Sequence, residues 1–531
     1  MKRTLILLAT LLAATSIFAK SPKSVCDNFD QLEKLNQFYY YLNSTYVEDV
    51  DMKALVETAI IEMLAELDPH SAYINADDMK GINESFEGEF SGIGVEFNVL
   101  ADTIIVVNTI VGAPAESVGV MPNDRIIGVD GQNVIGVKQS DVPNYLKGKR
   151  GSKVSIDVVR HSEPKPLKFV VERDNIPIHP VDAAYLFNDT TAYIKVNRFG
   201  QTTFDEFEDA YDKLGAQSNL ILDLRGNGGG LMEQAIELAN FFLPRNSLIV
   251  STEGGKEPTR NYGATRNGEM LEGNVIVLLD EDSASASEIV AGALQDWDRA
   301  IIVGRPSFGK GLVQRQFRLN DGSVARITVA RYHTPTGRVI QRPYTSGESK
   351  EYYERHIDRY DDSCDSLAID SLERPVYKTL KYGREVYGGG GITPDIIVDR
   401  DTTKIAPYYI SLIRQSVVNE FVVSYLDKHR ENLSRKYPNF DKFDAKFEVD
   451  DVMLSQLIEL GDLRGIERED VDIEDFRDVA RTNLKALFAQ KLFDTTQFYQ
   501  VVNKQDKSYF PIVRDLLDNW PVRSIDIFSA D

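Results

Sequence analysis

Between residues 28 and 67 apolar positions recur at helical spacing: Leu32, Leu35, Phe38 and Leu42, then Leu55, Ala59, Met63 and Leu67. The pattern predicts two helices that end at the turn "DPHSAYI". It changes near Glu84. From "GEFSGIGVEF" to "FVVERD" the chain reads as short β-runs between turn residues, among them "GVEFNV", "TIIVVNTI", "DRIIGVDG", "KVSIDVV" and "KFVVE". These predict one small β-rich domain. From Ile176 onward strand and helix patterns alternate. "TAYIKVN", "LILDL", "NVIVLLD" and "AIIVG" read as strands, and "LMEQAIELANFFL" and "SEIVAGALQDW" as helices. "GLVQRQFRL" and "VARITVARYHT" are joined by "NDG", a hairpin signal. This stretch predicts an α/β domain. A polar segment, 344–386, interrupts it before "GGGGITPD", and the residues after 400 read mostly as amphipathic helix with acidic faces.

A chain of 531 residues, 42% apolar, suggests three or four packed domains. With 82 acidic and 60 basic side chains its formal charge is −22, which repels polyanions and argues against general nucleic-acid binding. Lys2 and Arg3 precede the apolar run Leu5 to Ala14, and small residues follow at Ser16 and Ala19. That layout predicts a cleaved signal peptide over 1–19, hence an exported protein, periplasmic in a two-membrane bacterium. No later stretch reads as a membrane span. Charge before Cys26 in "KSPKSVC" disfavours a lipid anchor there. Cys26 and Cys364 could pair but cannot form a disulfide framework. The six histidines are scattered, so neither a metal nor another cofactor is expected.

Two glycine-bearing turns carry candidate chemistry. "GRPSFGKG", Gly304 to Gly311, nearly satisfies the phosphate-loop pattern, but Gly311 replaces its Ser/Thr and a strand follows instead of a helix. Both the magnesium ligand and the helix N-terminus are therefore missing, and an ATPase reading fails. Upstream, "VIVLLDEDSASASEIVAGALQDW" is a strand, a tight turn and a helix, placing a serine where helix N–H groups could stabilise an oxyanion. "SASE" is also a good capping box. "LILDLRGNGGGLMEQA" supplies a second such unit, whose glycines let backbone amides approach a ligand. With no suitably placed histidine, the serine's base would be a lysine made neutral by burial, and Lys310 is the candidate.

In their order and spacing, "DLRGNGGGL", "SASASEIVAGALQD", "VGRPSFGKGLVQ", "YHTPTGRVIQ" and "GGITPD" resemble the carboxyl-terminal processing, or tail-specific, proteases. "LDPHSAYI" and the glycine-rich β-domain fit the same family, and the resemblance runs from about residue 30 to 400. It implies a multidomain α/β serine endopeptidase: a crotonase-like (ClpP-like) core with an inserted PDZ domain, N-terminal helices and a helical C-terminal extension. The implied boundaries are 20–84 for the helices, 85–173 for the PDZ domain, 174–400 for the core and 401–531 for the extension. Carried over, the nucleophile falls on Ser285, the base on Lys310 and an orienting glutamine on Gln314. Were "GLVQ" a strand, Lys310, Leu312 and Gln314 would share a face. The oxyanion donors would be the amides of Ala286 and Gly229, with Gly228 an alternative, and Asp296 matches an acidic position that could simply be structural. Ile93, Gly94 and Val95 of "FSGIGVEF" would offer N–H groups to a substrate's carboxylate. Partners would be proteins with free apolar C-termini; a homo-oligomer or an adaptor stays open. The competing reading is a non-catalytic PDZ-containing binding protein on the same fold.

Overall fold

The computed structural model describes residues 23–100, 102–110, 112–160, 163–215, 217–358, 374–399, 407–467 and 477–529. The expected signal peptide, Cys364 and the side chain of Cys26 lie outside the described residues. The chain divides into two compact units, one ending at Leu67 and one beginning at Asp68. In the first, helices Lys23–Thr45 and Met52–Ala65 form where the spacing predicts them, the second capped by the Asp51 carboxylate. Leu64 is buried, whereas Leu32, Leu35 and Phe38 are exposed.

The second unit is built on a six-stranded sheet, in the order Val181–Asn188, Thr191–Val196, Asn219–Asp223, Asn274–Leu279, Ile301–Gly304, Ile396–Ile397. The first pair is antiparallel and the others parallel. Its strands read as near-continuous apolar runs because both faces are covered. Alternate residues divide between those faces. Ile194, Leu222, Val277 and Ile302 pack with helices Thr203–Leu214, Met232–Asn240 and Ala286–Asp296. Tyr193, Ile221, Ile276 and Val303 pack instead against Phe510, Val513 and Leu516 of helix Tyr509–Asp518. The C-terminal extension is thus the second layer of the core, not an appendage. The sequence pattern also passed over helix Thr203–Leu214 and strand Leu248–Glu253, which complete the core and a second sheet around the hairpin Leu312–Arg318 and Val324–His333.

The β-rich domain is a sheet in the order Val95–Leu100, Thr103–Thr109, Arg125–Val129, Lys153–Val159, Leu167–Glu172. Antiparallel pairing of Glu89–Gly92 with Asp174–Pro177 closes its entry and exit. Ile104 and Val106 face its own core, while Ile105, on the opposite face, packs on Val423 of helix Val417–Lys436. Lys491 of helix Arg477–Leu492 lies 4.0 Å from Glu96 on the first strand. The helices therefore grip this domain as well as the core. Nor does the segment 344–386 stand apart from the core: Tyr352, on its helix Ser349–Asp358, is buried, and its ring lies 5.3 Å from that of His70. Among the described residues no helix is long and apolar enough to cross a membrane.

If helix Tyr509–Asp518 is a structural layer, emptying its centre must destabilise the whole unit. Phe510→Ala should cost about 3–5 kcal/mol, read as a lowered denaturant midpoint at unchanged slope.

Candidate active site

Ser285 stands between strand Asn274–Leu279 and helix Ala286–Asp296, as the N-cap of the latter. An ordinary N-cap is extended, but Ser285 has φ 56° and ψ −109°. A non-glycine residue held there costs about 1–3 kcal/mol, and such strain clusters at functional sites. The capping box expected from "SASE" does form, with the Ser285 N–H donating to Glu288 Oε2 at 2.8 Å. The flanking serines are occupied elsewhere. Ser283 Oγ donates to the Leu224 carbonyl at 2.9 Å, and Ser287 Oγ to the Asn227 carbonyl at 2.8 Å. Both are fully buried, whereas Ser285 is partly exposed.

Glu288 is buried and accepts four hydrogen bonds. Oε2 takes the N–H groups of Ser285 and Lys310, at 2.8 and 2.9 Å. Oε1 takes Ser307 Oγ and the Gly309 N–H, at 2.6 and 2.7 Å. Burial pushes its carboxyl above the usual range, against the pull of these donors. The loop "GRPSFGKG" therefore does wrap an anion, and the anion belongs to the protein. One carboxylate oxygen fixes the backbones of both Ser285 and Lys310. The Tyr332 hydroxyl, buried and held protonated, reaches the carbonyls of the same two residues. The Lys310 ammonium is disfavoured chiefly by burial and then by the nearby charge of Arg326, with Glu288 and Asp68 opposing. Its pKa lies below the ordinary lysine value.

Gln314 lies on strand Leu312–Arg318, but Lys310 precedes the strand, so the shared-face argument does not hold. Instead the Gln314 amide donates to the carbonyl of His70. The turn around His70 is itself tied down, because Asp68 Oδ1 accepts the N–H groups of His70 and Ser71 at 2.9 and 2.8 Å. Burial, and next the Lys310 charge, lower the His70 pKa to about 4. Its Nε2 lies 3.2 Å from the Tyr352 hydroxyl. Sequence reasoning found no histidine near the serine and saw Glu288 merely as a cap. The quoted motif "LDPHSAYI" contained the signal for His70, but nothing in spacing alone joins it to residues 240 positions away.

The second turn comes against the first. Gly229, at φ 98°, is so close that an added Cβ would lie 2.8 Å from Ser285 Cβ and 2.9 Å from the Ala286 nitrogen. Its N–H donates to Asn227 Oδ1 at 2.9 Å, while Gly228 is exposed. Asp296 is elsewhere: at the far end of its helix it binds Arg338 and the Thr336 N–H and hydroxyl, a buried structural pair. In the β-rich domain Ile93 and Gly94 are buried, and the carbonyls of Ile93 and Gly94 accept the N–H groups of Ala115 and Ile110, at 2.8 and 3.0 Å. In a trans peptide the carbonyl and the following N–H point oppositely, which turns the Gly94 and Val95 N–H groups away from that contact. Gly94, at φ 76°, could not carry a Cβ, which would lie 2.2 Å from that of Ala113.

Residues 190–346 match peptidase family S41, and residues 91–171 match the PDZ domain. Residues 11–78 match the N-terminal domain of the activating protease CtpB, and residues 408–494 a family of unknown function. The class is a serine-type peptidase carrying a PDZ domain. A "Probable CtpA-like serine protease" of Staphylococcus aureus is 34% identical over 64% of this chain and 68% of its own. The carboxy-terminal-processing protease of Bartonella bacilliformis is 35% identical over 59% of this chain and 74% of its own. The chain belongs to the carboxy-terminal-processing protease family. A solved photosystem II D1 C-terminal processing protease is 30% identical, with a TM-score of 0.34, over 58% of this chain and 83% of that one.

The three neighbouring serines separate by experiment. Ser285→Ala should abolish proteolysis with the fold intact. Ser283→Ala and Ser287→Ala should each lose about 0.5–1.5 kcal/mol of stability, since each removes a buried hydrogen bond to a carbonyl that keeps a backbone donor, yet keep measurable cleavage. Turnover of a tail-bearing peptide, alongside thermal melts, distinguishes the three.

Proposed function

We propose that this protein is an exported endopeptidase in which Ser285 is the nucleophile and Lys310 the general base, acting on proteins recognised through apolar C-terminal tails. The observation that carries the reading is the single Glu288 oxygen shared by the Ser285 and Lys310 amides, beside a lysine whose charge is disfavoured by burial. Neutral Lys310 takes the proton of Ser285 Oγ as that oxygen attacks the scissile carbonyl. The resulting ammonium then gives the proton to the departing amine, leaving an acyl-enzyme. Water attacks the ester with Lys310 again the base, and the carboxylic product leaves. The Ala286 N–H at the helix start and the Gly229 N–H stabilise the oxyanion, the latter exchanging Asn227 Oδ1 for the substrate oxygen. Gln314, held by the His70 carbonyl, presents its amide oxygen to the Lys310 ammonium. Asp296 serves the fold alone.

In the PDZ domain the N–H groups of Ile93, Gly94 and Val95 bind the substrate's terminal carboxylate, and the strand Val95–Leu100 pairs with the tail as an added strand. It is an edge strand of its sheet, as such pairing requires. Cleavage of residues 1–19 on export delivers the enzyme outside the cytoplasm.

The lysine's protonation gives a signed pH test. Rate should rise with pH through a midpoint below the ordinary lysine value. Lys310→Arg should be inactive even at alkaline pH, because a guanidinium does not deprotonate. Arg326 lowers the Lys310 pKa, so Arg326→Gln should move the rising limb of kcat/KM to higher pH and leave the plateau nearly unchanged. An unshifted limb, or near-normal turnover by Lys310→Arg, would remove the lysine from the mechanism.

Tail capture is tested on the substrate. Amidating its C-terminus should raise KM by about tenfold, since the lost contacts are charge-assisted hydrogen bonds, and ending it in Asp or Lys should also raise KM, since a charge then replaces a buried apolar side chain. Equal rates for apolar and charged tails would exclude the loop as the source of selectivity.

A further inference from the structure

We propose that the C-terminal helices hold the oxyanion turn in register through Arg225, which makes Asn503 and Asp506 positioning residues for peptide hydrolysis. This rests on Ser285 and Gly229 acting as assigned above. The turn "RGNGG" follows the core strand one residue after Asp223, and its first residue is held on every side. The Arg225 N–H donates to Asp223 Oδ1 at 2.9 Å, and its carbonyl accepts from Lys195 Nζ at 2.7 Å. Its guanidinium folds back on Asp223, with Nη2 at 2.6 Å from Oδ2. The outer side of that guanidinium meets residues nearly three hundred positions away. Nη1 lies 3.5 Å from Asp506 Oδ2, Nη2 lies 3.5 Å from Asn503 Oδ1, and Cζ sits 4.5 Å above the Tyr509 ring.

Asp506 is built for both tasks. Its Oδ1 caps helix Tyr509–Asp518, accepting from the Ser508 and Tyr509 N–H groups at 2.8 and 2.7 Å, while Oδ2 faces Arg225. Asn503 is fixed in turn, donating to the Tyr185 hydroxyl at 3.0 Å on the sheet. From Arg225 the turn is short and taut. Gly226 donates to Asp280 Oδ1 at 2.9 Å, and Asn227 donates to the Val196 carbonyl at 2.9 Å. Gly229 then abuts Ser285 and Ala286. A donor placed that closely tolerates little movement, because an error of about 1 Å at a reacting centre can cost on the order of a hundredfold in rate. A turn with one anchor on the sheet and one on the C-terminal helices cannot shift unless those helices shift too.

Asp506→Asn is the clean variant, since an asparagine oxygen still caps the helix while the charge facing Arg225 is lost. It should lower kcat by about tenfold, short of the ~10²–10³ for loss of a whole oxyanion donor, and leave KM within about twofold. The affinity of a peptide boronate, which forms a tetrahedral adduct on the serine, should fall by the same factor as kcat, with the midpoint of the pH limb unmoved. Asn503→Ala should give the same split, and Asp515→Asn, on the helix that Asp506 caps but at the surface with Arg523, should change nothing. Measurements are made well below each melting transition and normalised to titrated active sites. Unchanged kcat in the folded variants overturns the proposal, and so does a loss that vanishes on normalisation or one confined to KM. Full activity of Ser285→Ala would instead remove the reading on which the proposal rests.

Discussion

The site depends on one buried carboxylate. Glu288 collects the backbones of Ser285 and Lys310 on a single oxygen, and the rest of the Lys310 loop on the other. Without it, Ser285 would have no partner for its N–H in a strained conformation, and the loop around Lys310 would have several unmet donors. A buried polar group left unmet costs about 1–3 kcal/mol, more if charged. The strain at Ser285 is therefore held by a local network rather than by the helix alone. The same network explains why a chain with no phosphate site carries a near-copy of a phosphate-binding pattern. Glycines let successive amides converge on an anion, and here the anion is three residues beyond the serine.

Around that centre the chain assembles from distant pieces. Ser285 and Gly229 come from adjacent parallel strands of one sheet, as the βα pattern of the sequence anticipates. Lys310 follows the next strand, Ile301–Gly304. Those stretches were legible because each is local: an apolar run, a small-residue turn and an amphipathic helix for the first two, and an apolar run, a glycine turn and a strand for the third. The contribution of the C-terminal helices was not. Their apolar faces look alike in sequence whether they pack on each other or on a sheet. Nothing in the spacing of Phe510, Val513 and Leu516 says that they cover Ile221 and Ile276. A parallel sheet does demand cover on both faces, and the helices counted before residue 400 supply cover on one. That shortfall was the available clue.

The catalytic reading of the sequence was weakest where contacts are longest. Gln314 was expected to reach Lys310 along one strand face, and the strand begins too late for that argument. Its amide is instead fixed by a carbonyl in the turn before the PDZ domain. The polar segment after residue 344, which reads as an insertion in the sequence, returns Tyr352 to the same turn. Periodicity identifies elements but carries no information on which turns meet. The PDZ loop is the converse case. Gly94 has no room for a side chain, so its role in shaping the loop could be read from the glycine itself.

The last constraint is electrostatic. Lys310 lies near two carboxylates, Glu288 and Asp68, that favour its charge. Burial and Arg326 outweigh them. The geometry of Glu288 shows how a carboxylate can sit so close without capturing the lysine. A carboxylate offers about four lone-pair sites, and all four are taken: by Ser285, Lys310, Ser307 and Gly309, through backbone or hydroxyl donors. None is left to form a hydrogen-bonded ion pair with Lys310 Nζ. Asp68 is engaged by the N–H groups of His70 and Ser71 and the Thr328 hydroxyl on Oδ1, and by the Ser71 hydroxyl on Oδ2. Both carboxylates thus hold backbone in place, Glu288 with all four of its sites. A carboxylate with free sites at the Glu288 position would stabilise the ammonium further, so the donors that fix the loop also leave burial and Arg326 to decide the charge of Lys310.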